Sequence, residues 1–191
     1  PPAPPGAPAG ASGDPMSQYR PVAYDALHQG VRKVTADLKT DKGQATLHRE
    51  LARTDILLTS FRPSALRKLG LDWKLLHKQY PALCQVAIVG APGARAEEPG
   101  HDLIYMADND LVTGLDLPPT LYADMGGSLI AAEAVLKVLL HQRAKGKGVC
   151  VEVALCDAAA WLALPRVWGL TTPGAAVGGG HAGYRVYPCR D

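Results

Sequence analysis

Apolar positions along the chain fall into short blocks whose period switches between two and about 3.6 residues. Residues Lys33 to Asp37 (Lys-Val-Thr-Ala-Asp) read as a short strand. After Thr40 the period is helical: Leu47 and Leu51 lie four apart, predicting a helix from about Asp41 to Arg53 with Thr40 as its cap. Asp55-Ile-Leu-Leu-Thr59 is a continuous apolar run too short for a helix, as expected of a parallel strand covered on both faces. Pro63 suits the first position of a short helix with Leu66 and Leu69 inward. Asp72 caps a further helix, Trp73 to Gln79, which Pro81 ends, and Cys84 to Val89 is the third strand, closed by Gly90. Strands and helices alternating at this spacing predict right-handed βαβ units and a parallel sheet.

The second half has a different rhythm. Asp102 to Leu111 reads as a helix. Asp124 to His141 is the longest helix and is apolar nearly all round, so it is expected to be a central buried element. Arg143, Lys145 and Lys147 with Gly146 and Gly148 form an ordinary helix C-terminal signature. Val149 to Val153 is a strand and Ala154 to Trp168 a helix. Residues 169–183 hold six Gly and one Pro, which predicts a mobile loop. Residues 1–15 hold six Pro and three Gly, a composition that forms neither helix nor ladder and reads as a linker. The organisation expected is therefore a linker (1–15), an α/β body (16–168) and a Gly-rich connection (169–191).

Composition narrows the function. Among 191 residues, 20 Lys+Arg against 18 Asp+Glu leave a formal charge of +2, which argues against a nucleic-acid binder working by phosphate neutralisation. Aromatics make up 6% of the chain and Phe61 is the single phenylalanine, so the core is expected to be aliphatic and Ala-rich, favouring helix-on-sheet packing. The longest apolar stretch, Leu129 to Leu140, is interrupted by Glu133 and Lys137 and falls short of the roughly 20 residues of a membrane span. Cys84, Cys150, Cys156 and Cys189 show neither C-x-x-C nor zinc-like spacing, and read as free thiols in a reducing cytoplasm with no metal site. No G-x-G-x-x-G or P-loop follows a strand, which counts against NAD or ATP.

Four constellations could carry chemistry. In Tyr122-Ala-Asp124-Met-Gly126-Gly127, Asp124 reads either as an N-cap or as a carboxylate kept ionised at a helix N-terminus, with Gly126 and Gly127 leaving room for a bulky substrate. His101, in Gly100-His101-Asp102-Leu103, opens a helix, where a positive charge is disfavoured; it reads as an ordinary residue or as a neutral proton acceptor. Gly178, Gly179 and Gly180 suit either a slack surface connection or a loop that closes over a site. Arg62, after a parallel strand's C-terminal end, with Arg67 and Lys68 beyond it, is placed where α/β sheets bind anionic ligands, although exposed cations are commonly just solvated.

Taken in order, Gly13-Asp14-Pro15, Gly30 to Lys39, Phe61-Arg62-Pro63 with Leu69-Gly70-Leu71, Gly100 to Leu103, Ala123-Asp124 with Gly126-Gly127, Gly146-Lys147-Gly148, Val151-Glu152-Val153 and Asp157-Ala158 resemble the family III CoA-transferases. The resemblance implies a Rossmann-like large domain, here incomplete at both ends, a smaller second domain absent from this stretch, and an interlocked homodimer. It implies coenzyme A, carried as acyl-CoA, and a carboxylic acid as substrates. Asp124 matches the family's nucleophile, which passes through an aspartyl-CoA thioester. Arg62 and Lys68 match cations placed near CoA, and Gly178 to Gly180 resemble the glycine loop of formyl-CoA transferase-like members. Position 101 is more often Tyr in the transferases, and His101 with Asp124 is similar to the two-base pair of α-methylacyl-CoA racemases. Three expectations follow: a transferase; a racemase moving a proton with His101 and Asp124; or a non-catalytic remnant that binds CoA or serves assembly. This stretch alone is expected to have weak or no activity.

Overall fold

The computed structural model describes residue 14 and residues 16–190, and the chain divides into two units, Pro1–Asp37 and Leu38–Asp191. The expected linker, apart from Asp14, lies outside the described residues. In the first unit, α1 (Met16–Tyr19) begins where the Asp14 carboxylate accepts the Met16 N–H at 2.9 Å, and α2 (Pro21–Leu27) has a proline in its first turn. Lys33 Nζ stands 4.4 Å from the Tyr24 ring centroid and 3.4 Å from Asp25 Oδ1. The strand expected over Lys33 to Asp37 is not formed. Val31 and Val34 are exposed, so their spacing buries nothing, and no strand among the described residues of this unit supplies a ladder partner.

The second unit is built from alternating elements: α3 (Asp41–Leu51), β1 (Ile56–Thr59), α4 (Pro63–Lys68), α5 (Trp73–Gln79), β2 (Cys84–Val89), a 3₁₀ turn (Gly93–Glu97), α6 (Asp102–Ala107), α7 (Tyr122–Lys145), β3 (Cys150–Ala154) and α8 (Leu155–Val167). Local chemistry sets the boundaries. Thr40 Oγ1 accepts the Gly43 N–H at 3.1 Å, and Asp72 Oδ1 accepts from Lys74 and Leu75 at 3.1 and 3.3 Å, each satisfying donors that a helix start leaves free. Gly146 ends α7 in the left-handed region at φ 69°.

The sheet is parallel throughout, in the order β1-β2-β3, with Ile56 opposite Cys84 and Gln85 opposite Cys150. Successive side chains point to opposite faces, so each face has its own core. One holds Cys84, Val86 and Val153 against Ala131, Ala134 and Val138 of α7; the other gathers Leu51, Leu66, Leu71, Leu76 and Leu83 beneath α3, α4 and α5. This is the α/β arrangement with flanking helices that the strand–helix alternation predicts. Among the described residues no helix is long and apolar enough to cross a membrane.

Two further expectations need correction. The longest helix is not buried all round: Ala123, Gly127, Ala131, Ala134, Val138 and Gln142 form its inward stripe, while Leu129, Leu136 and Leu140 are exposed. Small side chains let the helix approach the sheet closely, and the bulkier leucines stand on its far side. Helix α6 ends at Ala107 instead of running to Leu111, because Asp110 adopts φ 57° and Leu111 N–H turns back to the Met106 carbonyl at 2.9 Å, a Schellman closure in which Leu111 also packs on Met106. The Gly-rich stretch is an irregular connection, as its composition predicts. It makes a turn over Ala176–Gly180, with the Gly178 and Gly180 N–H groups donating to the Ala175 carbonyl at 2.9 and 3.0 Å.

Candidate active site

The C-terminal ends of all three strands open on one side of the sheet, where parallel α/β sheets place their ligands. Ser60, Phe61 and Arg62 follow β1, Gly90 follows β2, and Leu155 follows β3; together with Gly100 and Tyr105 they line a cavity of about 180 Å³. Tyr105 forms one wall. A Cβ on Gly90 or Gly100 would overlap its phenol, so both positions must be glycine for the ring to lie there. Burial pushes the Tyr105 hydroxyl above its ordinary range, the Cys156 and Asp124 charges push it further, and Arg62 opposes them, which puts all four groups within electrostatic reach of one another.

Arg62 has no acid paired with it among the described residues. Its neighbour Arg67 is engaged by Glu97 at 3.2 Å. The Ser64 hydroxyl and amide also donate to Glu97, and these bonds, the hydroxyl's foremost, hold that carboxyl below its ordinary value. Lys68 sits in the last turn of α4 and does not line the cavity.

Helices α6 and α7 bring their N-termini together near Tyr105, while neither His101 nor Asp124 lines the cavity itself. His101 stands at the cap position of α6 in an extended conformation, and Asp102 opens the helix. Asp124 is not an N-cap: α7 begins at Tyr122, Leu121 occupies the cap position, and Asp124 belongs to the first turn. Its backbone N–H donates to Asp102 Oδ1 at 2.9 Å, while its own side chain is exposed. Its carboxyl is raised above the ordinary aspartate value, mainly by partial desolvation and then by the Asp102 charge, with His101 pulling the other way. That reverses the expected lowering by the helix N-terminus, since the neighbouring carboxylate and the lost hydration outweigh the dipole. The same balance puts His101 within electrostatic reach of Asp124, which spacing alone leaves open.

Gly126 and Gly127 face α8. A Cβ on Gly127 would overlap a Leu155 methyl, and one on Gly126 would come within 3.1 Å of a Leu162 methyl, so their missing side chains let two helices approach. Gly178 and Gly179 line a recess with Gly183 and Tyr184 that contains none of His101, Tyr105 and Asp124, and Gly180 lies in the same turn. The residues that sequence reasoning missed are Tyr105 and the buried carboxylate of Asp102. The four-residue interval from His101 to Tyr105 was the available signal for the first; a partner 22 positions away offers none for the second.

The sequence model described as CoA-transferase family III matches residues 7–191 of this chain. A cinnamoyl-CoA:phenyllactate CoA-transferase of Clostridium sporogenes is 31% identical over 157 residues, 77% of this chain and 38% of that protein. The α-methylacyl-CoA racemase of Homo sapiens is 30% identical over 151 residues, 73% of this chain and 40% of the racemase. A crystal structure of a hypothetical protein from Mycobacterium tuberculosis superposes with a TM-score of 0.65 at 29% identity, covering 72% of this chain and 42% of that one. The chain thus spans about two fifths of the length of these relatives.

Proposed function

We propose that this chain, which belongs to CoA-transferase family III, carries the nucleophile of an enzyme that moves coenzyme A from an acyl-CoA to a carboxylic acid. The observation that carries the reading is the exposed Asp124 carboxylate, in the first turn of α7 and within electrostatic reach of Tyr105, which walls a cavity at the ends of all three strands. In this reaction an Asp124 oxygen attacks the thioester carbonyl, the C–S bond breaks, and CoA leaves as thiolate, with a mixed anhydride remaining on Asp124. The thiolate attacks the aspartyl carbonyl, releasing the donor carboxylate and leaving an aspartyl-CoA thioester. An acceptor carboxylate repeats both steps in reverse, regenerating Asp124, with no net proton transfer. A carboxylate above its ordinary basicity is a better nucleophile, and the raised value of Asp124 supports this role. The unpaired Arg62 is assigned to an anionic part of the CoA substrate. Arg62→Ala is expected to raise KM for the acyl-CoA about tenfold with little change in kcat, since one charge-assisted contact is worth roughly 1.5–3 kcal/mol; steady-state kinetics checks it. The homodimer and the cytoplasmic setting belong to the same proposal and rest on family membership alone.

The placement of His101 within electrostatic reach of Asp124 favours a second reading, 1,1-proton transfer at the carbon next to the thioester carbonyl, one residue removing the proton and the other returning it. The two readings separate on His101→Phe. A transferase keeps its turnover within about threefold, whereas a racemase losing a general base drops by roughly 100-fold or more. Intact-mass detection of a CoA adduct supports the first reading, and deuterium wash-in at the α-carbon without an adduct supports the second.

A further inference from the structure

The first turn of a helix leaves its leading N–H groups without intrahelical partners. In α7 the ordinary remedy is missing, because the residue at the cap position is Leu121, whose side chain accepts nothing. The Met125 N–H is satisfied by the Leu121 carbonyl at 2.9 Å, but the Asp124 N–H, one residue earlier, is not reached by the helix's own carbonyls. It is taken by Asp102 Oδ1, 22 residues back in the chain. Asp102 is only 5% exposed. A buried carboxylate is costly unless donors and positive potential surround it, and this one stands in the first turn of α6 and against the first turn of α7, at two helix N-termini.

We propose that Asp102 is the positioning residue for Asp124: its buried carboxylate holds the Asp124 backbone amide and so fixes where the reactive side chain leaves α7, while its neighbour His101 is placed beside that side chain by the same helix. Buried as it is, Asp102 does not meet the thioester and acts through Asp124 alone. The proposal rests on Asp124 being the reacting group, and it serves transferase and racemase chemistry alike. The charged groups that act on Asp124 are Asp102, in the first turn of α6, and His101 at its cap. Tyr105 of α6 in turn feels Asp124, together with Cys156 of α8 and Arg62 after β1.

The test uses the full-length protein and whichever of acetyl-, succinyl- and cinnamoyl-CoA it turns over fastest. Hydrogen exchange is followed at the Asp124 amide, together with kcat, KM and the pH profile. Asp102→Ala is expected to speed amide exchange at Asp124 at least tenfold and to lower kcat by ~30-fold or more, with KM within threefold, since a misplaced reacting group costs rate and not affinity. Asp102→Asn keeps an acceptor oxygen and loses the charge. It is expected to keep the amide protected and kcat within about fivefold. The acidic limb of its kcat profile is expected at lower pH, because a negative neighbour no longer raises Asp124. An Asp124 amide that exchanges in Asp102→Ala as slowly as in the parent overturns the proposal, as does a kcat within twofold. If the Ala variant does not fold, a folded Asp102→Asn protein with an unprotected Asp124 amide, or with an unmoved pH profile, overturns it. Turnover that survives Asp124→Asn removes the nucleophile reading instead, and the amide measurement keeps the two failures apart.

Discussion

Asp124→Asn is expected to lower turnover of the full-length protein by ~1,000-fold or more and to leave no CoA adduct on it. The substitution keeps the volume and the position of the side chain and removes only the nucleophilic oxygen charge, so substrate binding is expected to persist. The same change is expected to leave stability at neutral pH equal or higher. Asp124 has a folded-state pKa above its unfolded value, because desolvation and the Asp102 charge disfavour the ionised form. A group of that kind binds more protons in the folded than in the unfolded state between the two values, so stability falls as pH rises through that window. The penalty is fully present above the raised folded value and absent below the ordinary aspartate value of 3.8. Asn carries no such penalty. Melting curves should therefore show the Asn variant at or above the parent near neutral pH, with any gap closing in acid. A parent that melts higher than the variant at neutral pH, together with surviving turnover, would remove Asp124 from the reaction and would place its value in structure.

What could be read in advance divides by range of interaction. The boundaries of α5 and β2 were legible to the residue because their determinants are local: Asp72 caps its own helix, and Cys84 to Val89 is an unbroken apolar run. The orientation of α7 was not legible. Its apolar residues surround the helix, and which stripe turns inward depends on how β2, far back in the chain, and the following β3 and α8 fold against it; the small residues Gly127, Ala131 and Ala134 proved decisive over the leucines. Lys33 to Asp37 carries a strand-like pattern, yet a strand is stable only beside a partner, and local pattern says nothing of partners. At the site, Asp124 and His101 were identifiable from the motifs and their place at helix starts. Their electrostatic proximity, the reversed direction of the Asp124 shift and the Asp102 contact all come from two helix N-termini packed together, a relation that no periodicity encodes.

Gly148→Ala is expected to disrupt the core of the second unit strongly. In sequence Gly148 looks like part of a helix C-terminal signature, interchangeable with its neighbours. In the fold it is buried and its N–H donates to the Pro81 carbonyl at 2.8 Å, so its backbone runs directly against the turn before β2. A Cβ there would overlap the Leu83 carbonyl and come within 3.1 Å of the Ala82 carbonyl carbon. Gly127 offers the useful contrast, because its obstacle is a Leu155 methyl that can rotate away. The Leu83 carbonyl cannot. It is pinned between the Leu83 N–H bond to Tyr80 and the Cys84 N–H bond to Asp55, at 3.0 and 2.9 Å. The chain on the Gly148 side must move instead, and with it the Gln85 N–H bond to the Val149 carbonyl that starts the β2–β3 register. A loss of about 2–3 kcal/mol follows from overpacking against rigid backbone, or roughly 5–10 °C in melting temperature for a unit of this size. Gly114→Ala, where a Cβ meets open space, is the control and should fall within about 0.5 kcal/mol of the parent. Because β3 leads straight into Leu155 on the cavity wall, a Gly148→Ala protein that still folds should also bind acyl-CoA more weakly. A variant that melts with the parent would show that the turn before β2 yields more readily than its hydrogen bonds imply.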